Sequence, residues 1–203
     1  MIGLVFTTTE EAHPFVDTYA DGRFSDLGPD APLHDDHVLV SVSGTGKVRS
    51  TLHAERVCRD HNVTALVHAG TCTALTKDID IGALVGVTAV LEGDRIELSA
   101  PSYPQMPLEV PFETDTQGIL VTQDHVVQDS EDRSYWQRIA DVNDSSGYAL
   151  AYVAAQHGVS CHIAKAVTAH AGEENESFQK DRAAAQQRIA DCLLAYLNDQ
   201  LPA

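Results

Sequence analysis

The segment HVLVSVSGTGKVRSTLHAERV, residues 37–57, predicts a β-strand, a tight glycine turn and an α-helix in succession. Aliphatic residues dominate positions 38–42, as in a strand buried on both faces. Gly44 and Gly46 then allow backbone conformations with positive φ, which a sharp turn requires. The apolar residues that follow recur near helical spacing and predict one buried helix face: Val48, Leu52, Ala54 and Val57.

The glycine turn does not fit either common nucleotide-phosphate motif. A P-loop needs a glycine where this chain has Ser41 and a Ser or Thr where it has Val48. A dinucleotide-binding turn needs a third glycine where this chain has Arg49. The turn therefore serves either to pack the helix against the strand or to shape a different kind of site, and Lys47 is expected to be a structural cation at the helix start.

Composition excludes several classes of partner. Thirteen Lys and Arg against thirty Asp and Glu give a formal charge of -17, which argues against nucleic acid. No apolar run reaches the roughly 18 residues of a membrane span, and the first residues do not resemble a signal peptide. We therefore expect a cytoplasmic protein. The cysteines form no CxxC pair and the ten histidines are dispersed, so neither a metal nor a disulfide framework is indicated.

Apolar strands alternate with helical segments along the whole chain, from the strand at 2–6 to an amphipathic C-terminal helix. Glu10 and Glu11 open the first helix, and Gly158 is predicted to end a small-residue helix as its C-cap. This order predicts an α/β fold, a three-layer αβα sandwich with a central mixed, mostly parallel sheet, as a single domain over residues 1–203. In such sheets ligands bind beyond the carboxyl ends of the strands.

Four segments, read together, resemble the nucleoside phosphorylase and nucleosidase superfamily, closest to the methylthioadenosine/S-adenosylhomocysteine nucleosidases. They are the Gly-x-Gly-Lys-Val turn at 44–48, HAGTCTAL at 68–75, IGALV at 81–85 and Thr-Gln-Asp at 122–124. The resemblance implies cleavage of an N-glycosidic bond through an oxocarbenium-like transition state. It also implies no cofactor, a small-molecule nucleoside as the substrate, and a homodimer or larger homo-oligomer.

The resemblance assigns the activation of the attacking water to Glu11, which follows the first strand. A solvated glutamate favoured by the dipole of the first helical turn is the alternative. The phosphorylases of the superfamily carry a phosphate loop with glycine and arginine at this point. The sequence TTTEEA, residues 7–12, lacks both, which favours hydrolysis over phosphorolysis.

Two further family groups are replaced in this chain. Ser146 stands where the ribose-binding glutamate is expected, with Asp144 as a possible substitute; Asp144 or Ser145 could equally be a helix N-cap. Ala169 stands where the aspartate that protonates the leaving purine is expected, and the adjacent His170 is either a substitute acid or a loop histidine without a catalytic role.

The resemblance also places residues around the sugar and the base. Cys72 is expected to be a small buried thiol and not a nucleophile. The complete set of substrate-binding candidates is Gly70, Thr71, Cys72, Asp124, Val126, Val127 and Ser146.

Two functions follow from these observations. The first is a nucleosidase for a purine nucleoside or modified nucleoside such as methylthioadenosine, S-adenosylhomocysteine or futalosine. The alternative is a catalytically impaired family member that binds a small molecule or a partner. Glu11 supports the first, and the replaced glutamate and aspartate support the second. An unrelated α/β-hydrolase is disfavoured because no Gly-x-Ser-x-Gly motif is present.

Overall fold

The structure is a computed structural model that describes residues 1–19, 32–94, 103–127, 129–173 and 178–200. The strands are β1 Ile2–Phe6, β2 Leu33–His34, β3 Val38–Val42, β4 Ala65–Ala74, β5 Leu84–Glu92, β6 Gln105–Pro107, β7 Thr116–Thr122, β8 Val142–Asp144 and β9 Ser160–His170. The helices are α1 Thr9–Thr18, α2 Lys47–Asp60, α3 Ser130–Trp136, α4 Gly147–His157 and α5 Phe178–Gln200.

The strands form one mixed sheet in the order β2-β3-β1-β4-β8-β7-β5-β6, and β9 pairs with both β4 and β5. The pairs β1–β3, β1–β4, β4–β9, β5–β7 and β7–β8 are parallel. The pairs β2–β3, β4–β8, β5–β6 and β5–β9 are antiparallel. Because β4, β9, β5, β7 and β8 pair in a closed circuit, this half of the sheet curls into a ring.

Helices cover the sheet on both sides, which confirms the predicted α/β layers. Consecutive strand residues point to opposite faces, and Leu4 and Phe6 pack with α1 and α5, whereas Val5 packs with α2 and α4. Two separate apolar clusters, one on each face of the sheet, therefore hold these helices: α1 and α5 on one face, α2 and α4 on the other.

Residues close in sequence define several helix ends, and the predicted C-cap at Gly158 is one of them. Thr8 caps α1, since its hydroxyl accepts a hydrogen bond from the Glu11 amide at 3.3 Å. Gly158 ends α4 in the left-handed conformation, with φ 66°. Gly44 and Gly46 adopt positive φ, 80° and 97°, so the turn before α2 requires them.

The predicted buried face of α2 is partly wrong. Val48 and Leu52 are 79% and 53% exposed, whereas Ser50, Ala54 and Val57 are buried. The face starts with a polar residue because the Ser50 hydroxyl lies 3.3 Å from the Ser43 hydroxyl at the end of β3. An apolar pattern alone could not reveal this hydrogen-bonded start.

Two segments expected to be irregular are described only in part. Residues 21–36, rich in Asp, Gly and Pro, predict a loop or short edge hairpin; they lie outside the described residues up to position 31, and their described part contains β2. Residues 100–116, with four prolines, predict an irregular segment, and their described part contains the short strand β6. Among the helices of the described residues, none combines the length and apolarity needed to cross a bilayer.

Candidate active site

A cavity of about 470 Å³ opens where several strands of the sheet end. Residues that directly follow β1, β3 and β7 line it, together with the ends of β4, β8 and β9 and the start of α5. The lining residues are Thr7, Thr8, Glu11, Thr45, Thr71, Cys72, Thr73, Gln123, Asp124, His125, Val126, Asn143, Asp144, Ser145, Ser146, Thr168, Phe178 and Arg182. The predicted location of the site, beyond the strand ends, agrees with this position.

Glu11 is a buried carboxylate at the cavity wall, with only 4% of the residue exposed. Its Oε1 accepts hydrogen bonds from the Thr71 amide and the Thr71 hydroxyl, both at 2.7 Å, and its Oε2 accepts one from the Thr7 amide at 3.2 Å. Gly70 leaves the necessary room, because a Cβ there would lie 3.0 Å from Oε2. A freely solvated first-turn glutamate is therefore excluded, and the carboxylate is held in one orientation.

Ser146 and Thr7 place two hydroxyl groups side by side at the cavity wall, with their oxygens 3.2 Å apart. Ser146 Oγ also lies 2.9 Å from Nε2 of the fully buried His68. His68 Nδ1 is 2.8 Å from the Val5 carbonyl oxygen, which only accepts, so Nδ1 carries the proton and Nε2 is an acceptor. The His68 ring therefore orients the Ser146 hydroxyl from the buried side of the cavity wall.

Asp144 lies at the same wall, but its oxygens are occupied by other protein groups. The carboxylate accepts hydrogen bonds from the Gly147 and Ser146 amides at the start of α4 and from the Thr122 hydroxyl at 2.7 Å. Lys165 Nζ lies 2.8 Å from Oδ2. Burial would raise the pKa of this carboxyl, but the positive charge of the neighbouring Lys165 ammonium group holds it well below its usual value. Asp144 thus caps α4, and nothing in its geometry leaves an oxygen for a sugar hydroxyl.

The structure does not bring His170 to the cavity. Its Nε2 lies 3.0 Å from the Ile79 carbonyl oxygen, and the residue is not among those that line the cavity. The adjacent Ala169 pairs with Thr73 in the sheet and offers no proton. Strand β9 therefore supplies no acid at the position where the resemblance expects one.

The residues expected around the base divide into two groups. Val126 is exposed and lines the cavity, whereas Val127 is buried in a separate apolar cluster with Leu75 and Trp136. Of the two valines expected in the base-binding segment, only Val126 therefore lines the cavity. Cys72 lines the cavity as a buried thiol, and burial raises its pKa to about 12, which makes it a poor nucleophile.

Asp124 explains why the glycine turn resembles a phosphate site without being one. Its Oδ1 accepts a hydrogen bond from the Lys47 amide at 2.9 Å, so a carboxylate of this chain occupies the helix N-terminus. A Cβ on Gly46 would lie 3.2 Å from that oxygen. The Lys47 ammonium contacts Asp94 at 2.7 Å and Glu92 at 3.4 Å, as expected of a structural cation.

Several lining residues were not among the site residues expected from the sequence, and His125, Phe178 and Arg182 are three of them. His125 Nδ1 lies 3.0 Å from Asp94 Oδ1, and its Nε2 lies 3.1 Å from the Gln123 amide nitrogen. Its position directly after the Thr-Gln-Asp segment was the available signal. Phe178 and Arg182 lie on the first turns of α5, which the sequence predicted only as part of an amphipathic helix and which border the cavity.

Comparisons with known proteins agree on one family. The family model described as "Phosphorylase superfamily" matches residues 4–116 and 105–198. Aminodeoxyfutalosine nucleosidases of Campylobacter jejuni and of Helicobacter pylori strain 26695 are each 24% identical to this chain over 202 and 206 residues. These alignments cover 86% and 87% of this chain and 88% and 89% of the two relatives.

Solved structures show the same fold. The 5'-methylthioadenosine/S-adenosylhomocysteine nucleosidase of Helicobacter pylori, in complex with butyl-thio-DADMe-Immucillin-A, superposes with a TM-score of 0.84 at 18% identity, covering 98% of this chain and 97% of that one. The futalosine hydrolase of Helicobacter pylori strain 26695 gives a TM-score of 0.84 at 19% identity with the same coverage.

Proposed function

Because the chain belongs to the phosphorylase superfamily, we propose that it is a nucleosidase that hydrolyses the N-glycosidic bond of a purine nucleoside or modified nucleoside. The observation that carries the proposal is Glu11, a buried carboxylate that three protein donors hold at the wall of a cavity large enough for a nucleoside. The related aminodeoxyfutalosine nucleosidases support a modified nucleoside as the substrate.

In the proposed reaction, the oxygen of the attacking water bonds to the anomeric carbon while Glu11 accepts its proton. The base leaves with the electron pair of the broken bond and takes a proton from solvent. The leaving base draws electrons from the sugar, so positive charge develops at the anomeric carbon, and the fixed carboxylate stabilises that charge. Thr71 and Thr7 keep the carboxylate in place, so no reorganisation is needed as the charge develops. Water is the nucleophile, since the turn after β1 has no glycine- and arginine-bearing phosphate loop.

We assign the sugar hydroxyls to the paired hydroxyl groups of Ser146 and Thr7. The buried ring of His68 orients the Ser146 hydroxyl and so sets the direction of its hydrogen bond to a sugar hydroxyl, although neither Ser146 nor Thr7 carries a charge. The base is assigned to the side of the cavity lined by Gln123, Asp124 and His125. His125 lines this side of the cavity and His170 does not, although both ring nitrogens of His125 already have protein partners in Asp94 and Gln123.

A second candidate is a binding protein of the same fold without turnover. The specific observation in its favour is the wall formed by β9, where Ala169 and the internally bonded His170 offer no acid for the leaving base. Asp144, tied to Lys165 and the start of α4, does not replace the ribose-binding carboxylate either.

The decisive experiment is incubation with a panel of purine nucleosides, including 5'-methylthioadenosine and aminodeoxyfutalosine, followed by chromatography of the free base. Glu11→Gln keeps the size of the side chain and removes its basicity, and we expect base release to fall at least a hundredfold. The control is Glu10→Gln, because Glu10 is the exposed neighbour on the same turn and does not line the cavity.

Base release by no member of the panel, together with a ligand-induced rise in melting temperature, would favour the binding protein. Unchanged release by Glu11→Gln would refute the role of Glu11. Equal losses in the Glu10 and Glu11 variants would point to a disturbed α1 instead of lost chemistry.

We further propose that the protein is a single domain, acts in the cytoplasm and forms a homodimer. The two overlapping family matches, which together span residues 4–198, support the first point. The exposed apolar residues Val48 and Leu52 on α2 support the last. Light scattering coupled to size-exclusion chromatography tests the homodimer. A molar mass near twice 21.9 kDa is expected, and a mass near 21.9 kDa would refute the dimer.

A further inference from the structure

His125 lies in the middle of a chain of hydrogen bonds that runs from the buried sheet to the protein surface. Its Nδ1 lies 3.0 Å from Asp94 Oδ1, and its Nε2 lies 3.1 Å from the side-chain nitrogen of Gln123. Gln123 Oε1 in turn lies 3.0 Å from the side-chain nitrogen of Asn143. His125, Gln123 and Asn143 all line the cavity, so this chain forms part of its wall. The proposed reaction gives the chain no role.

The inner end of the chain allows only one orientation of each amide. Asn143 Nδ2 lies 3.2 Å from the Val121 carbonyl oxygen, which can only accept, so the amide nitrogen and not the amide oxygen occupies this position. The same nitrogen donates its second hydrogen to Gln123 Oε1. The amide nitrogen of Gln123 must therefore face His125.

The outer end of the chain fixes the tautomer of the His125 ring. Lys47 Nζ lies 2.7 Å from Asp94 Oδ2. Burial raises the pKa of Asp94, but the hydrogen bond from Lys47 outweighs it and lowers this pKa overall, so the carboxylate is ionised and can only accept. The His125 Nδ1 therefore carries the proton, and Nε2 keeps a lone pair that accepts from the Gln123 amide. Both ends of the chain thus require the same neutral form of the ring.

Gln123 is enclosed so tightly that its amide depends on these two partners. The residue is 2% exposed, and a Cβ on Gly93 would lie 2.6 Å from its Cγ. A half-turn of the amide would oppose its nitrogen to the Asn143 nitrogen and lose that hydrogen bond. As long as His125 is neutral, a single orientation of Gln123 satisfies both neighbours.

Protonation of the His125 ring removes this arrangement. A cationic imidazole carries a proton on each nitrogen, so Nε2 no longer accepts from the Gln123 amide. Asp132 Oδ2 on α3 lies 3.7 Å from Nε2 and becomes its partner instead. Histidine is the side chain that ordinarily changes its charge between about pH 5 and 8.

Carboxylates predominate among the charged groups around this ring, which favours its protonated form as the pH falls. These groups come from the end of β5 and the segment after it, the segment after β7, α3 and α2, and they are Glu92, Asp94, Asp124, Asp132 and Lys47.

We propose that His125 is a positioning residue of the cavity. In its neutral form it holds the Gln123 amide, and through it Asn143, in one orientation for the ligand, and its protonation releases them. In the described part of the chain no protein donor bonds Asn143 Oδ1, so this oxygen is the acceptor that the arrangement leaves for a ligand. The effect on a substrate rests on the proposed nucleosidase function, whereas the release of Gln123 does not.

The first test follows the side-chain amide of Gln123 by nitrogen–proton correlation NMR from pH 8 to pH 5. Its signals are assigned by their absence from Gln123→Met. We expect them to shift in the wild type with the same midpoint as the ring signals of His125. His125→Gln keeps an acceptor oxygen and a donor nitrogen and does not titrate in this range, so the Gln123 signals should stay in place. The matched control is His157→Gln, because His157 contacts Glu55 at 2.6 Å but does not line the cavity.

The second test measures base release from 5'-methylthioadenosine at pH 8 and pH 5.5. We expect acidification to raise the KM of the wild type at least fivefold more than that of His125→Gln, while kcat changes by the same factor in both. At pH 8, His125→Gln should stay within twofold of the wild-type KM. His125→Leu removes the acceptor and should raise KM at least fivefold at pH 8, with no further rise on acidification. His157→Gln should behave as the wild type at both pH values.

Gln123 signals that do not move between pH 8 and pH 5, or that move equally in the wild type and His125→Gln, would overturn the inference. Equal responses of KM in these two proteins would overturn it as well. Should His125→Gln fail to fold, unequal midpoints of Gln123 and His125 in the wild type would overturn it, and equal midpoints would support it. If the wild type does not cleave 5'-methylthioadenosine, the proposed function fails for this nucleoside, and the NMR titration still decides the role of His125.

Discussion

The ion pair between Lys165 and Asp144 provides a sharp test of how this site is built. Lys165 is 1% exposed, the Asp144 side chain is 4% exposed, and Nζ and Oδ2 are 2.8 Å apart. Asp144→Asn removes the negative charge while it keeps an oxygen for the amides at the start of α4. The change leaves the ammonium group of Lys165 buried without a compensating charge, which typically costs about 3–5 kcal/mol.

This cost translates into a measurable change in melting temperature. An unfolding entropy of roughly 2.1 cal/mol/K per residue gives about 0.43 kcal/mol/K for 203 residues. A loss of about 3–5 kcal/mol then lowers the melting temperature by about 7–12 °C near neutral pH. Differential scanning calorimetry of wild type and Asp144→Asn measures it directly.

The pH dependence gives a second readout with a defined sign. The pKa of Asp144 is lowered in the folded protein, so its contribution is complete above the unfolded value of 3.8 and is lost as the pH falls below it. Asp144→Asn cannot lose that contribution again. The difference in melting temperature between wild type and variant should therefore stay constant from about pH 5 to 8 and shrink below about pH 4.

A double variant separates the charge from the packing. Asp144→Asn with Lys165→Met removes both charges, and we expect it to be more stable than Asp144→Asn alone, because no buried charge is left unpaired. A fall in melting temperature of less than about 2 °C in Asp144→Asn would refute this account. A difference that grows on acidification would do the same.

Three further changes probe the neighbouring residues. Gly70→Ala places a Cβ 3.0 Å from Glu11 Oε2, so the carboxylate must shift by a few tenths of an ångström. This shift should lower kcat roughly ten- to a hundredfold with little change in melting temperature. An unchanged kcat would show that Glu11 does not act from this position. Cys72 should resist alkylation by iodoacetamide at pH 8 in the folded protein, because burial raises its pKa to about 12, and mass spectrometry that finds it modified as fast as in urea would contradict this. Asp124→Ala removes the acceptor for the Lys47 amide and should lower the free energy of unfolding, measured in urea, by about 1 kcal/mol. Asp124→Asn keeps an acceptor oxygen and should recover most of this loss. Equal losses in both variants would rule out capping as the cause.

Polar residues that follow a strand fall into two groups, those whose side chains line the cavity and those whose side chains do not. Glu11 was identified by the family resemblance, which expects a glutamate after the first strand, and the structure holds it at the cavity wall. His170 was chosen by the same logic of adjacency, yet its side chain bonds a carbonyl oxygen away from the cavity. Residues that follow a strand share a neighbourhood, but whether a side chain faces the cavity depends on the local twist and register of that strand.

A register shift within the sheet shows why adjacency in sequence is not sufficient. Strand β9 pairs with β4 in parallel and shifts register between Cys72 and Thr73, so that Thr73 lies opposite Ala169. A shift of one residue reverses the side on which the following side chains project. The sequence around Ala169 and His170 carries no sign of that shift.

The sequence by itself determined the main alternation of strands and helices, the glycine turn, the C-cap at Gly158, and the family resemblance that the family match confirmed. These features depend on residues within a few positions of one another, where backbone preference and apolar spacing act directly. Only the tertiary structure decided that Asp144 is bound by Lys165, that Asp124 caps a helix that begins 77 residues earlier, and that Arg182 faces the cavity. The physical reason is that these contacts join distant segments, and their geometry is fixed by the pairing of the strands and the packing of helices on them.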